Sequence, residues 1–283
     1  MLSINIFNGL VYGALLVVMS SGLALIYGLR RVVNFAHGSL YMLGAYLGYT
    51  VASHTNFWVA QVAVPLLMGL LGLALDRFAF RPLQDRDPLS VILVTFGLLL
   101  VLEDLVQTVW GKSNLSVPAP ELLSASVDLF GMSVPAYRIA VIFFGLMVAG
   151  ALTLWLRYSK MGLFVRAAST EPTITSMQGV NVDRLSGLVV AVGTALAGLA
   201  GIIAAPFLSL SPSMSSDVII DSFVVVVTGG LGSLSGAFAA ALLLGQVQAV
   251  GAVYLPEFAT VLPYVLMMAV LLWRPAGFAG NRV

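Results

Sequence analysis

Long apolar runs alternate with short polar interruptions along this chain, and the interruptions define its plan. Met1 to Leu29 holds no charged residue, and Arg30 with Arg31 stops the run. Apolar stretches follow at 33–53, 57–75, 89–110, 136–156, 185–207, 218–231, 237–254 and 258–273. Runs that approach twenty residues predict membrane-crossing helices rather than barrel strands. Segment 218–231 is short for a crossing, and GGLGSLSG, Gly229 to Gly236, breaks the chain where it ends. The expected fold class is all-α: a polytopic helical bundle with about eight or nine transmembrane or re-entrant helices, forming one transmembrane domain over 1–283.

The polar interruptions set the orientation. Loop 76–88 carries Arg77, Arg81 and Arg86, whereas the longest loop, 111–135, has Lys112 as its only basic residue. The run Arg157 to Arg184 holds Arg157, Lys160, Arg166 and Arg184 against two acids, Glu171 and Asp183. Together with 30–31 and the tail, these loops hold all of the 13 Lys and Arg except Lys112 and Arg138. The positive-inside bias then predicts a cytoplasmic C-terminus, an external N-terminus and an odd number of crossings. Within 157–184, Glu171 to Gln178 reads as a short helix, with Pro172 in its first turn, Thr170 as its cap and Gly179 as its end. A short helix on a cytoplasmic loop is a surface for a partner to grip.

Composition closes off other classes. The chain is 60% hydrophobic and 9% charged, with mean hydropathy +1.03; it cannot clothe a water-facing surface. With no cysteine, disulfides and thiolate metal sites are excluded. No phosphate loop, HExxH or GxSxG motif occurs, which argues against ATP binding, metal catalysis or a nucleophile on this chain. No basic patch for nucleic acid exists outside the loops. MLSINIFNGL lacks a basic start and a cleavage site, so the first span is expected to be retained.

Ionisable groups within the spans carry two readings each. Glu103 and Asp104 suit the ion site of a secondary transporter or channel, or else an outer-interface position helped by Lys112. Asn34 and His37 follow Arg30 and Arg31 closely, which puts them near the inner interface, touching solute or closing a helix end. Asp217 and Asp221 flank a possible re-entry at the outer mouth, solvated or facing a partner's cation. Most glycines read as close helix packing. In NFAHG and GGLGSLSG they read instead as helix breaks lining a cavity. The pathway candidates are therefore Asn34, His37, Gly38, Thr228, Gly229, Gly230, Gly232 and Ser233.

In their order along the chain, three stretches resemble the branched-chain amino acid ABC transporter permeases of the LivH type. They are GLVYGALLVVMSSGLALIYGLRRVVNFAHGSLYMLGAY, MGLFVRAASTEPTITSMQGVNVDRL and FVVVVTGGLGSLSGAFAAALLLG, and the closing LLWRPAGFAG fits as well. The resemblance implies an inner-membrane permease working by alternating access with a second, LivM-like permease or a second copy. It also implies two ATPase subunits and a periplasmic binding protein, with ATP and magnesium on the partner chains and no cofactor here. Loop 157–184 would be the ATPase-coupling surface, through Arg166, Thr170, Glu171, Pro172, Thr175, Ser176, Gly179 and Asp183. Gly179 matches the glycine of the EAA-like importer motif, while Thr173, Ile174 and Thr175 depart from its preceding positions. Linker 209–217 and loop 111–135 would face the binding protein. Relatives of this type carry leucine, isoleucine and valine, or urea, amides and aromatic acids. Gly230→Leu is expected to abolish uptake with assembly intact.

Overall fold

A computed structural model of the chain describes residues 2–83, 86–129 and 132–280. Gln84 and Asp85 of the second basic loop, Phe130 and Gly131 of the long loop, and Arg282 of the tail lie outside the described residues.

Six helices among these are long and apolar enough to cross a membrane. Two of them form the centre. Helix α1 (Leu2–Arg30) and helix α8 (Val182–Ala204) have 89% and 72% of their apolar windows buried, against 22% for α3 (Phe57–Leu75), α4 (Pro88–Trp110) and α5 (Ala136–Tyr158). The outer three show exposed apolar faces, with Leu66, Leu70, Leu93, Val101, Phe143 and Leu146 uncovered, which suit lipid. Helices α2 (Ala36–His54), α9 (Met214–Gly229) and α10 (Leu234–Tyr254) complete the bundle around α1, with α11 (Leu262–Trp273) outside α9 and α10. Close approach rests on small residues facing backbone. A Cβ on Gly22 or Gly44 would meet the α8 backbone at Gly193 or Gly198, and one on Gly245 would meet α1 at Gly9 and Gly13.

The breaks predicted from the sequence differ in detail. Segment 33–53 does not start as a helix: Arg31 to Phe35 is non-helical, and α2 begins only at Ala36. Its Asn34 accepts the Ala36 N–H through Oδ1 at 3.1 Å, closing an open turn ahead of the helix. Helix α10 starts earlier than expected because Ser233 caps it, its Oγ accepting the Gly236 N–H at 3.2 Å. The long polar loop contains a small antiparallel hairpin, Ser126–Leu129 with Met132–Pro135. Its strands are too short, and its partners too few, to register in a hydropathy pattern.

The basic loop 76–88 is not a plain connector. Helix α3 runs on into a wide π turn, Asp76–Phe80, and a 3₁₀ turn, Arg81–Leu83. The widened turn brings Asp76 inward, 1% exposed, beneath the end of α1.

Candidate functional site

Loop 157–184 folds into two helices where the sequence showed one. Ser159 ends α5 and caps α6 (Lys160–Thr170), its Oγ accepting the Gly162 N–H at 2.9 Å. Gly162, Val165 and Ala168 face inward at helical spacing, while Met161 and Leu163 stay exposed. Lys160 before them and Arg166 among them masked that period, although Ser159 ahead of it was a legible start signal. The short helix α7 (Pro172–Met177) sits where expected, with Pro172 in its first turn and Gly179 beyond its end at φ +86°. Thr170 does not cap it; its hydroxyl donates back to the Arg166 carbonyl at 3.2 Å.

Of the eight coupling candidates, Arg166, Thr170, Glu171, Pro172, Ser176, Gly179 and Asp183 are exposed, and only Thr175 is buried. The Thr175 hydroxyl donates to the Glu171 carbonyl at 2.8 Å. Ile174 and Met177, one turn apart on α7, are 53% and 79% exposed, an apolar pair on an otherwise polar short helix. A groove of about 590 Å³ runs beside them, lined by Phe164, Ala167, Thr175, Gln178 and Arg184.

This surface is tied into the bundle by a cluster that the sequence did not announce. Asp76 accepts from Arg30 Nη2 and, at 2.9 Å, from Arg81 Nε. Arg30 also donates to the Phe80 carbonyl at 3.2 Å, and Arg81 to the Asp183 carbonyl at 3.1 Å. Arg31, at φ +53°, donates to the Ser169 carbonyl at 3.0 Å, near the end of α6. One carboxylate thus joins α1, the π turn and the start of α8, and the next arginine adds α6. Arginines in basic loops read as orientation signals, and nothing in their spacing marks which one turns inward.

The eight pathway candidates fall into two places. His37 is fully buried, with Nε2 at 3.0 Å from the Met19 carbonyl. Met19 precedes the end of α1 by eleven residues, about 16 Å of helix. His37 therefore lies deep in the bundle, not at the inner interface where its distance from Arg31 placed it, and Asn34 is buried ahead of it; the non-helical stretch 31–35 carries the chain back alongside α1. Gly38 faces the carbonyl of Ser215, so α2 and α9 begin against each other. Among atoms left without a partner here are Asn34 Nδ2, His37 Nδ1 and Tyr41 Oη.

Thr228, Gly229, Gly230, Gly232 and Ser233 lie at the other place, beside Gly28 and the tail. The tail returns to α9: Phe278 N–H donates to the Thr228 carbonyl and Ala279 N–H to the Gly229 carbonyl, each at 3.0 Å. They supply the partners that the last carbonyls of a helix lack. Gly230 has φ +105°, and Gly280 and Ala276 occupy the space of any side chain there. A leucine at 230 would therefore disturb folding as well as uptake, which corrects the expectation of intact assembly.

Two of the acids on these helices are engaged. Glu103 accepts from the Ser215 hydroxyl, joining α4 to the start of α9, while Asp104 is exposed. Asp221 accepts from the Tyr12 hydroxyl at 2.7 Å. At the end of the bundle opposite the arginine cluster, the long loop and the 205–213 linker meet: Leu115 and Leu210 exchange backbone bonds of 3.0 and 2.8 Å. There too Arg138 holds Asn8 at 2.8 Å and lies over the Phe207 ring.

The chain's likenesses agree with this architecture. Residues 5–271 match the family described as branched-chain amino acid transport system, permease component. The LivH high-affinity branched-chain amino acid permease protein of Salmonella typhimurium is 27% identical over 98% of this chain and 95% of its own. BraD of Pseudomonas aeruginosa is 27% identical over 97% and 94%, and the ribose import permease RbsC of Escherichia coli 24% over 85% and 75%. Among solved structures, PsaBC from Streptococcus pneumoniae in complex with Fab aligns at TM-score 0.52 over 94% of this chain and 89% of its own, at 11% identity, a likeness of fold. By its sequence over nearly its whole length, this chain belongs to the permease-component family of branched-chain amino acid transport systems.

Proposed function

We propose that this chain is the membrane permease subunit of an ATP-driven importer for branched-chain amino acids or a similar small amphiphilic solute. The observation that carries the reading is α7: a six-residue helix with exposed Ile174 and Met177, set at the end of the bundle that gathers the arginines. Such a helix fits a cleft in a separate ATPase subunit, and the α6 groove widens the contact. Family membership supports the same reading.

In this reading the N-terminus faces the periplasm and the arginine-rich end the cytoplasm. Two ATPase subunits dock on α6 and α7, and a second permease, LivM-like or a second copy, completes the pathway. A binding protein delivers solute at the opposite end, where Leu115 and Leu210 join the long loop to the linker. ATP and magnesium act on the partner chains. ATP-driven closure of the ATPases moves α7, the Arg31 and Asp183 contacts pass the motion to α1 and α8, and the pathway opens to the loaded binding protein. An ion-coupled carrier on Glu103 and Asp104 is the weaker alternative, since Ser215 already occupies the Glu103 carboxylate.

The test is uptake of radiolabelled leucine and urea into membranes carrying this chain with its genomic neighbours, with and without ATP. ATP-dependent leucine uptake that fails when the ATPase subunits are left out is the expected result. Uptake driven by an ion gradient without them would overturn the reading.

A further inference from the structure

Asp221 is an unusual residue for its place. It lies on α9 eight residues before Gly229, about 12 Å of helix from that end, on a segment packed within the bundle. The Tyr12 hydroxyl of α1 donates to it at 2.7 Å, and Gln248 of α10 faces the same carboxylate. Asp217, one turn earlier on α9, is exposed on the same side as Ser216 and Ile220. Among the described residues both ion pairs belong to Asp76, so Asp217 and Asp221 meet no cation in this chain. From the bundle interior, Tyr41 of α2 approaches the Tyr12 hydroxyl closely enough to interact electrostatically. Tyr41 is fully buried and its own hydroxyl has no partner.

A carboxylate within a membrane span is costly unless a cation or water meets it, and such residues mark solute or ion routes. Asp217 is exposed and Asp221 half-buried, with no cation of this chain on either, which suits a water-filled route along this α9 face. An ammonium group brings three donors and no acceptor. Asp221 accepts one bond from Tyr12 and keeps lone pairs free, and the unpartnered Tyr41 oxygen lies toward Tyr12 on the interior side. A neutral solute such as urea offers no charge to offset the carboxylate.

We propose that Asp221, oriented by Tyr12, receives the ammonium group of the transported amino acid, and that Asp217 is the contact one turn before it. The proposal rests on the importer reading and narrows its solute class to primary amines, zwitterions above all.

The absence of cysteine in the chain makes the test direct. In the assembled transporter, Asp217→Cys is expected to react with a water-soluble cationic methanethiosulfonate, while Val265→Cys on α11 is not. Excess leucine with loaded binding protein and ATP should slow the Asp217→Cys reaction. Asp221→Asn should lower leucine uptake by about tenfold or more, the scale of a lost charged hydrogen bond, with ATPase subunits still co-purifying. Asp221→Glu should recover part of it, and Tyr12→Phe should fall between. Wild-type uptake by Asp221→Asn would overturn the proposal. So would an Asp217→Cys that only a lipid-soluble maleimide reaches, or one that cross-links to a cysteine placed at a basic residue of the second permease, which would make this face a subunit contact. Failure of the importer reading looks different: wild-type protein itself would then lack ATP-dependent leucine uptake, while the labelling results would still locate the water-facing side.

Discussion

Arg31 donates to the carbonyl of Ser169, 138 positions away, at 3.0 Å. The bond joins the stretch that leads into α2 to the helix that precedes α7. Arg31 holds φ +53° to make it, a conformation that costs an ordinary residue roughly 1 kcal/mol or more. Arg31→Gly removes the guanidinium and relieves the backbone together. It is expected to leave the protein at least as stable as Arg31→Ala, yet to raise the ATP hydrolysed per leucine imported. Equal coupling ratios in Arg31→Gly and wild type would deny the bond any part in transmission.

Asp76 holds Arg30 and Arg81 while only 1% exposed. Removing the acid leaves two cations facing each other, and breaking such a buried pair costs about 3–5 kcal/mol. Asp76→Asn should markedly lower the Tm of the detergent-purified protein. Replacing all three members by apolar residues of matching size should cost less than the single change. A thermal melt of both variants checks the order.

Phe278 and Ala279 close the end of α9 through backbone N–H groups. Each carbonyl stripped of a partner in a buried place costs about 1–3 kcal/mol. Ending the chain after Pro275 should therefore reduce stability and expression, whereas Phe278→Leu, which keeps the N–H, should stay near wild type. Protease resistance in membranes separates them.

Ile174 and Met177 are exposed at 53% and 79%, so replacing them removes little of this chain's own packing. Ile174→Asp with Met177→Asp should leave the Tm unchanged and reduce ATPase co-purification by about tenfold, as expected of anchors in a compact contact. Undiminished co-purification would move the docking surface elsewhere.

Much of the bundle was legible because apolar runs report membrane burial directly. Val182–Ala204 and Pro88–Trp110 appear within a few residues of their apolar stretches, and Pro172 with Gly179 marked α7. The misses share a cause: they depend on where a polar residue points once distant segments meet. Thr170 had a nearer acceptor in Arg166. His37 sits far from the interface because residues 31–35 are not helical, and chain outside a helix can cover about twice the length per residue that a helix does. Tyr12 carries no signal inside its apolar run; it becomes informative only through Asp221.

The central position of α1 has a consequence for how the protein is made. Its small residues Gly9 and Gly13 meet α10 at Gln246 and at Ala241 and Leu242, so α1 waits for a helix made much later in the chain. Until then the α1 face that receives α10 lacks its protein partner, although α5 and α8 can already meet its other sides. Such long-range closure slows assembly. Chains interrupted before residue 234 should thus stay open in the bilayer as targets of membrane proteolysis, even though every earlier span has been inserted.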